Sequence, residues 1–267
     1  MWHVAWRSLK DKKITLLVLC LVGIGFVFMY SAIFPSIKSQ SDTFNELLKA
    51  YPMDVMKAMG IDSLDMSTLQ SFLCMEYFSL LWPILAIMVG VTFAGYSLAG
   101  EIEAGTMPLL LSLPLSRQKI FWGKFLATVM AIAIFTVATT WVVWPIGAIF
   151  GAKIPLGNLA WLSLFAFLFC LTVAGVATFF SAIFNEKGRA YFISTGIFLL
   201  MYVASAVAAL KEQFSDLRFV SLFSYFKATS ILVYGQINTQ IYWFTLIVTF
   251  VLVMAACAWF TRKNISV

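Results

Sequence analysis

Six long runs of this chain contain no Asp, Glu, Lys or Arg: Ile14 to Ile37, Tyr77 to Gly100, Phe125 to Ala152, Ile154 to Asn185, Ala190 to Leu210 and Ala228 to Thr261. The charged residues collect in the short stretches between them. Each run can supply the ~20 apolar residues that carry an α-helix across a bilayer, and a helix satisfies its own backbone in lipid. The pattern predicts an all-α integral membrane protein with six transmembrane helices.

Shorter features punctuate this frame. Over residues 1–13, Trp2, Ala5, Trp6 and Leu9 fall on one helical stripe while Arg7, Lys10 and Lys13 lie off it. That pattern fits an interfacial amphipathic helix with its indoles at headgroup depth, and it reads also as a positive-inside topology signal. Residues 35–76, from Pro35 to Glu76, form the one sizeable excursion, on the outer side. There Phe44, Leu47, Leu48 and Tyr51 keep helical spacing, Pro52 can open a second short helix with Val55, Met56 and Met59, and Gly60 can stop it. Ser67 with Gln70 is a capping-box pattern that starts the second transmembrane helix. A small helical lid is the expected product. Its methionines (Met53, Met56, Met59, Met66, Met75) read as ordinary packing, as an adaptable surface for lipophilic cargo, or as thioether ligands for Cu(I).

The apolar stretch from Phe219 to Gly235 is split by Lys227, so a re-entrant outer segment is expected before a sixth span beginning near Ile241. Small residues recur every four positions at Ala86, Gly90 and Ala94, and again at Ala204 and Ala208. Such stripes allow close helix approach, within one bundle or between two copies.

Charge gives the frame an orientation. With both termini cytoplasmic, the inner segments hold eleven basic residues (Arg7, Lys10, Lys12, Lys13, Arg117, Lys119, Lys124, Lys187, Arg189, Arg262, Lys263) against four acidic ones (Asp11, Glu101, Glu103, Glu186). The outer segments hold seven basic and eight acidic residues, so the inner side carries +7 and the outer side −1 of the net +6, as the positive-inside rule requires. This accounts for a pI near 9.1 without a nucleic-acid partner. The first run is longer than a signal-peptide core, and Tyr30 and Ala32 make no small-x-small cleavage site, so it is expected to stay as an anchor.

Several chemistries are disfavoured. The six runs carry no ionisable Asp, Glu, Lys or Arg of the kind that couples proton or ion movement inside a bundle. The single histidine, His3, precedes the first span, so Ser–His or metal–His chemistry in the membrane has no base. Cys20, Cys170 and Cys257 fall within spans and Cys74 where the second helix leaves the membrane, which indicates neither a disulfide framework nor a metal site. The one Gly-Lys pair, Gly123 and Lys124, sits between Trp122 and Phe125 and is no phosphate loop. This chain is not expected to be an enzyme or to bind a cofactor of its own.

The segment from Glu101 to Lys124 carries the most functional information. Thr106 can cap a short helix with Pro108 in its first turn, Pro114 ends it, and Ser116 can cap the third transmembrane helix. The result is a stiff elbow parallel to the membrane. Its surface should include some of Met107, Leu109, Leu110, Leu111 and Leu113, too much apolar area to leave to water, which points to a protein partner. Glu101 and Glu103 sit near a helix C-terminus, where a carboxylate opposes the macrodipole, so a basic group should face them. Arg117, Lys119, the N-terminal helix and a partner protein are the candidates.

Glu101, Glu103, Gly105, Thr106, Leu110, Pro114, Ser116, Arg117 and Lys124, at their spacing here, resemble the Glu-x-Glu-x-Gly-Thr...Leu...Pro-Ser-Arg...Gly-Lys segment of the type-two ABC exporter permeases. Tyr225 and Phe226, followed by Lys-Ala-Thr-Ser-Ile-Leu, resemble the re-entrant region of the same family, whereas Ile102 and Pro108 stand where the family is often polar or charged. The resemblance implies one permease domain over residues 1–267, with an outer lid at 35–76 and a coupling loop at 101–124. It implies that Glu101, Glu103, Gly105, Thr106, Leu109, Leu110, Leu113, Pro114, Ser116 and Arg117 meet a separate ATPase, with Glu186, Lys187 and Arg189 as a second contact. ATP and Mg2+ would bind that ATPase, present in two copies. A second permease subunit, identical or paralogous, would complete an exporter of hydrophobic or amphipathic substrates in a bacterial plasma membrane. An ATP-independent carrier or channel, or a docking protein that transports nothing, is the alternative.

Overall fold

The computed structural model describes residues 2–38, 68–210, 216, 217, 219, 221–237 and 239–264, and no β-strand occurs among them. Ten helices organise the described residues: α1 (Trp2–Asp11), α2 (Lys13–Lys38), α3 (Leu69–Gly95), α4 (Ala99–Glu103), α5 (Met107–Leu111), α6 (Arg117–Ile149), α7 (Leu156–Ile183), α8 (Lys187–Leu210), α9 (Ala228–Leu232) and α10 (Thr239–Arg262). Six of them, α2, α3, α6, α7, α8 and α10, are long and apolar enough to cross a membrane.

Every span helix except the fourth reaches past its charge-free run. α2 continues through Pro35 to Lys38, and α3 starts at Leu69 under an N-cap from Thr68, whose Oγ accepts the Ser71 N–H at 3.2 Å. The cap therefore falls one residue after the predicted Ser67. Most of the predicted lid, including its two short helices, Ser67 and four of its five methionines, lies outside the described residues. Met75 and Cys74 are buried in the N-terminal part of α3. Glu76 is also part of α3, ahead of the charge-free run that starts at Tyr77. A charge-free run marks only the minimum of a helix, because backbone hydrogen bonding continues past the first charged side chain.

α3 is not a uniform α-helix. It widens into π-helix over Cys74–Leu81 and again over Val91–Gly95. The first widening directly precedes Pro83, whose ring has no N–H and clashes with the carbonyl four residues back, and a wider turn relieves that clash.

α7 is the hub. It touches α3, α6, α8, α9 and α10, and 67% of its apolar window is buried, against 28% for α2 and 17% for α8. Ala86, Gly90 and Ala94 of α3 are buried, and a Cβ at Gly90 would stand 2.6 Å from Val173 Cγ1 of α7. That stripe is used for packing inside the bundle.

Between α8 and α10 the chain makes a 3-10 turn at Leu222–Ser224 and the five-residue α9. The run from Ala228 to Thr261 is thus divided, and its latter part alone forms a helix long and apolar enough to cross a membrane. Phe226 stacks on Trp82 of α3 at 5.1 Å, Asn158 Nδ2 of α7 donates to the Leu232 carbonyl at 3.1 Å, and Ser221 Oγ donates to the Met201 carbonyl of α8 at 2.7 Å. At the opposite end, α1 lies against α6 with Val4 and Ala5 buried, while Trp2 and Trp6 face outward and Lys10 Nζ sits 5.6 Å from the Trp6 ring.

Candidate functional site

The elbow between α3 and α6 gets its shape from a few local devices. α4 ends in a Schellman motif: the Thr106 N–H donates to the Glu101 carbonyl at 3.0 Å and the Gly105 N–H to the Ile102 carbonyl at 3.1 Å. This turn puts Gly105 at φ +68°, a left-handed conformation that disfavours any side chain. α5 follows with Pro108 in its first turn, and Ser116 Oγ accepts the Lys119 N–H at 3.3 Å to start α6. Thr106 stands at the N-cap of α5, yet its hydroxyl donates to the Glu101 carboxylate and does not cap that helix.

One face of the elbow is embedded. Met107 is fully buried against a cluster containing Phe121 of α6, Ala182 of α7 and Phe260 of α10, with Leu110 and Leu111 packed on the same cluster. The other face is open: Leu109 is 70% exposed and Leu113 44%.

The two elbow carboxylates find different partners from those expected. Glu101 pairs with Lys124, one of whose neighbours in sequence is the apolar Phe125 and whose side chain is only 6% exposed. Burial alone would raise the Glu101 carboxyl, but the Lys124 ammonium, the Thr106 hydroxyl and nearby Arg7 hold it below the ordinary carboxylate range. Glu103 accepts the Lys187 backbone N–H at 2.7 Å and lies 3.4 Å from the Lys187 ammonium. It therefore caps the N-terminus of α8, where the macrodipole favours a carboxylate. Neither Lys119 nor Arg117 takes these roles, because Arg117 points to another helix end.

Arg117 donates to the Lys263 carbonyl at 2.7 Å and to the Thr261 carbonyl at 3.5 Å, at the C-terminus of α10. Lys263 in turn donates to the carbonyls of Ala182, Ile183 and Phe184 at 2.9, 2.9 and 3.2 Å, which closes the C-terminus of α7. Cations at helix C-termini satisfy carbonyls that have no intrahelical partner. Burial lowers the Lys263 pKa. A further cation, Lys12, lies between α1 and α2: its ammonium donates to the Thr92 carbonyl at 3.1 Å and sits 3.8 Å from the centre of the Tyr96 ring. Burial, followed by the positive charges of Lys187 and Lys124, pulls its pKa down to about 8.

These contacts tie one apolar patch to the ends of α6, α7, α8 and α10. A family model described as ABC-2 family transporter protein matches residues 2–263. The chain belongs to that family. No curated protein matches it. As an ABC-2 permease it is a multi-pass membrane protein and the transport component of an ABC transporter, not itself catalytic, in a family that works with an ATPase subunit.

The predicted site residues of this permease divide into groups. Glu101, Thr106 and Arg117 face inward as structural ties, Gly105 and Ser116 shape turns, and Leu110 is half-buried. Leu109, Leu113 and Pro114 are exposed, as are Glu186 and Arg189, which pair with each other at 2.9 Å. The structure brings the two predicted contact regions together through Glu103 and Lys187. Sequence reasoning did not find Lys12, Lys263 or Ser181. The first two carried a signal, since each belongs to a basic pair at the edge of an apolar run, Lys12 with Lys13 and Arg262 with Lys263.

Proposed function

We propose that this permease exports a hydrophobic or amphipathic molecule, with the elbow as the element that an ATPase moves. The observation that carries the reading is the pairing of exposed Leu109 and Leu113 with an embedded opposite face tied to α6, α8 and α10. A patch of this kind is costly in water and useful when a partner covers it. A push on it reaches the span ends through short, directional bonds rather than through a flexible loop.

In this reading both termini and the elbow are cytoplasmic, the membrane is the bacterial plasma membrane, and residues 1–267 act as one permease domain. Two such subunits, identical or paralogous, enclose the pathway and seat two ATPases. The segment around α9 is re-entrant from the outer side, and a helical lid lies over the outer mouth. ATP and Mg2+ belong to the ATPase, since Lys124, the only lysine here that follows a glycine, is committed to Glu101 inside the bundle. Closure of the ATPases on ATP shifts the bundle between two arrangements that differ in what the elbow contacts.

Gentle solubilisation of the tagged chain from its native membrane, followed by mass spectrometry, tests the reading. Recovery of a phosphate-loop ATPase in equal amount is the expected result. Recovery of this chain alone, under conditions that preserve other membrane complexes, would favour an ATP-independent carrier or a docking protein.

A further inference from the structure

The junction between α3 and α4 is occupied by a side chain from another helix. In an unbroken α-helix the Ala99 N–H would donate to the Gly95 carbonyl, four residues back. Here the Ser181 hydroxyl of α7 stands between them: it donates to the Gly95 carbonyl at 2.7 Å and accepts from the Ala99 N–H at 3.0 Å and the Leu98 N–H at 3.1 Å. A side chain inserted into the hydrogen-bond ladder is one of the few causes of a sharp bend in a helix. Ser181, Leu98, Ala99 and Gly95 are all buried, so water is no substitute for any of these bonds.

Both sides of the junction are held separately. On the membrane side, the widened turn of α3 presents the Thr92 carbonyl to Lys12 and, at 3.3 Å, to the Tyr191 hydroxyl of α8. Gly95 admits the Tyr191 ring there, since a Cβ would lie 2.7 Å from it. On the elbow side, α4 is tied through Glu101 and Glu103. Lys263 fixes the end of α7 directly after Ser181. Ser181 is thus a fixed point to which α3 and α4 are each attached.

We propose that Ser181 is a positioning residue for transport, the pivot about which the elbow turns relative to α3. A hydroxyl suits this role because it rotates freely, donates once and accepts twice, and so can exchange partners among Gly95, Leu98 and Ala99 as the angle changes. The inference rests on the reading of the elbow as the element that an ATPase moves.

The test compares Ser181→Ala and Ser181→Thr in the full chain in lipid nanodiscs, with Thr178→Val as control, because Thr178 Oγ1 is a buried hydroxyl of α7 with no partner. Hydrogen exchange at the Leu98 and Ala99 amides should quicken about tenfold in the alanine variant and stay near wild type in the other two. Spin labels at Ala104, an exposed residue of the elbow outside the apolar patch, and at Ile84 should show a broadened distance distribution in the alanine variant alone, and the ATP-driven shift of that distance in the ATPase complex should be lost there and kept in the threonine variant. Unchanged exchange, or an intact ATP-driven shift in Ser181→Ala, would overturn the pivot while leaving the elbow reading in place. A wild-type chain that assembles with no ATPase would overturn the elbow reading, and with it the transport role, whatever the exchange rates.

Discussion

At the end of the bundle that carries both termini, helices meet through charge: Glu103 at the start of α8, Arg117 at the end of α10, Lys263 at the end of α7 and Lys124 of α6 on Glu101. At the other end they meet through rings. Trp82 of α3 stacks on Phe226 at 5.1 Å, Phe169 of α7 lies 5.4 Å from Phe226 and 5.6 Å from Phe223, and Phe165 stacks on Tyr242 of α10. Hydrogen bonds to helix-end carbonyls weaken steeply when bent and so fix angles. Ring contacts hold over several offset and tilted geometries and so tolerate sliding. The first end fixes the angles between its helices, and the second lets them slide.

This contrast is breakable at either end. The largest effect is expected from Trp82→Ala, which removes a fully buried ring and its 3.0 Å hydrogen bond to Thr139 Oγ1. It should cost about 3 to 5 kcal/mol in thermal melting while hydrogen exchange at the elbow stays unchanged. Lys124→Met should cost about 3 kcal/mol by leaving Glu101 buried without its cation, and addition of Glu101→Gln should recover most of the loss. Recovery would identify the pair as a tie whose worth lies in geometry more than in net stability.

The smallest effect is one of pH. Glu101 titrates below an ordinary carboxylate, so its contribution is present above the unfolded value near about 4.3 and disappears as pH falls through the lower folded value. Melting of Glu101→Gln should lack that acid limb. Lys12 has the opposite history: held at about 8, it binds fewer protons than in the unfolded chain, so stability rises with pH above about 8, and Lys12→Met should flatten that rise.

Much of this arrangement was legible in the sequence because hydropathy and helix signals are local. The six spans and the Ser116 cap follow from residue type and spacing. The partners of Glu101 and Glu103 did not, because Lys124 lies 23 residues away and Lys187 lies 84 residues away, joined only by the fold. Lys124 also broke a rule that served elsewhere, that charge marks the limit of a buried segment, since an ammonium can be buried once a carboxylate meets it. Ser181 gave no signal at all: a serine in an apolar helix reads as an ordinary small residue until the broken ladder of α3 is set against it. The apolar elbow surface was anticipated as a group, and only packing separates inward Met107 from outward Leu109.

The account depends most on that outward face. The direct test is ATP hydrolysis by the purified complex in lipid nanodiscs, wild type against the double variant Leu109→Arg and Leu113→Arg. A variant with unchanged melting that loses its bound ATPase, or retains it without stimulated hydrolysis, is the predicted result. Wild-type assembly and wild-type stimulated hydrolysis by the double variant would contradict the role assigned to the elbow.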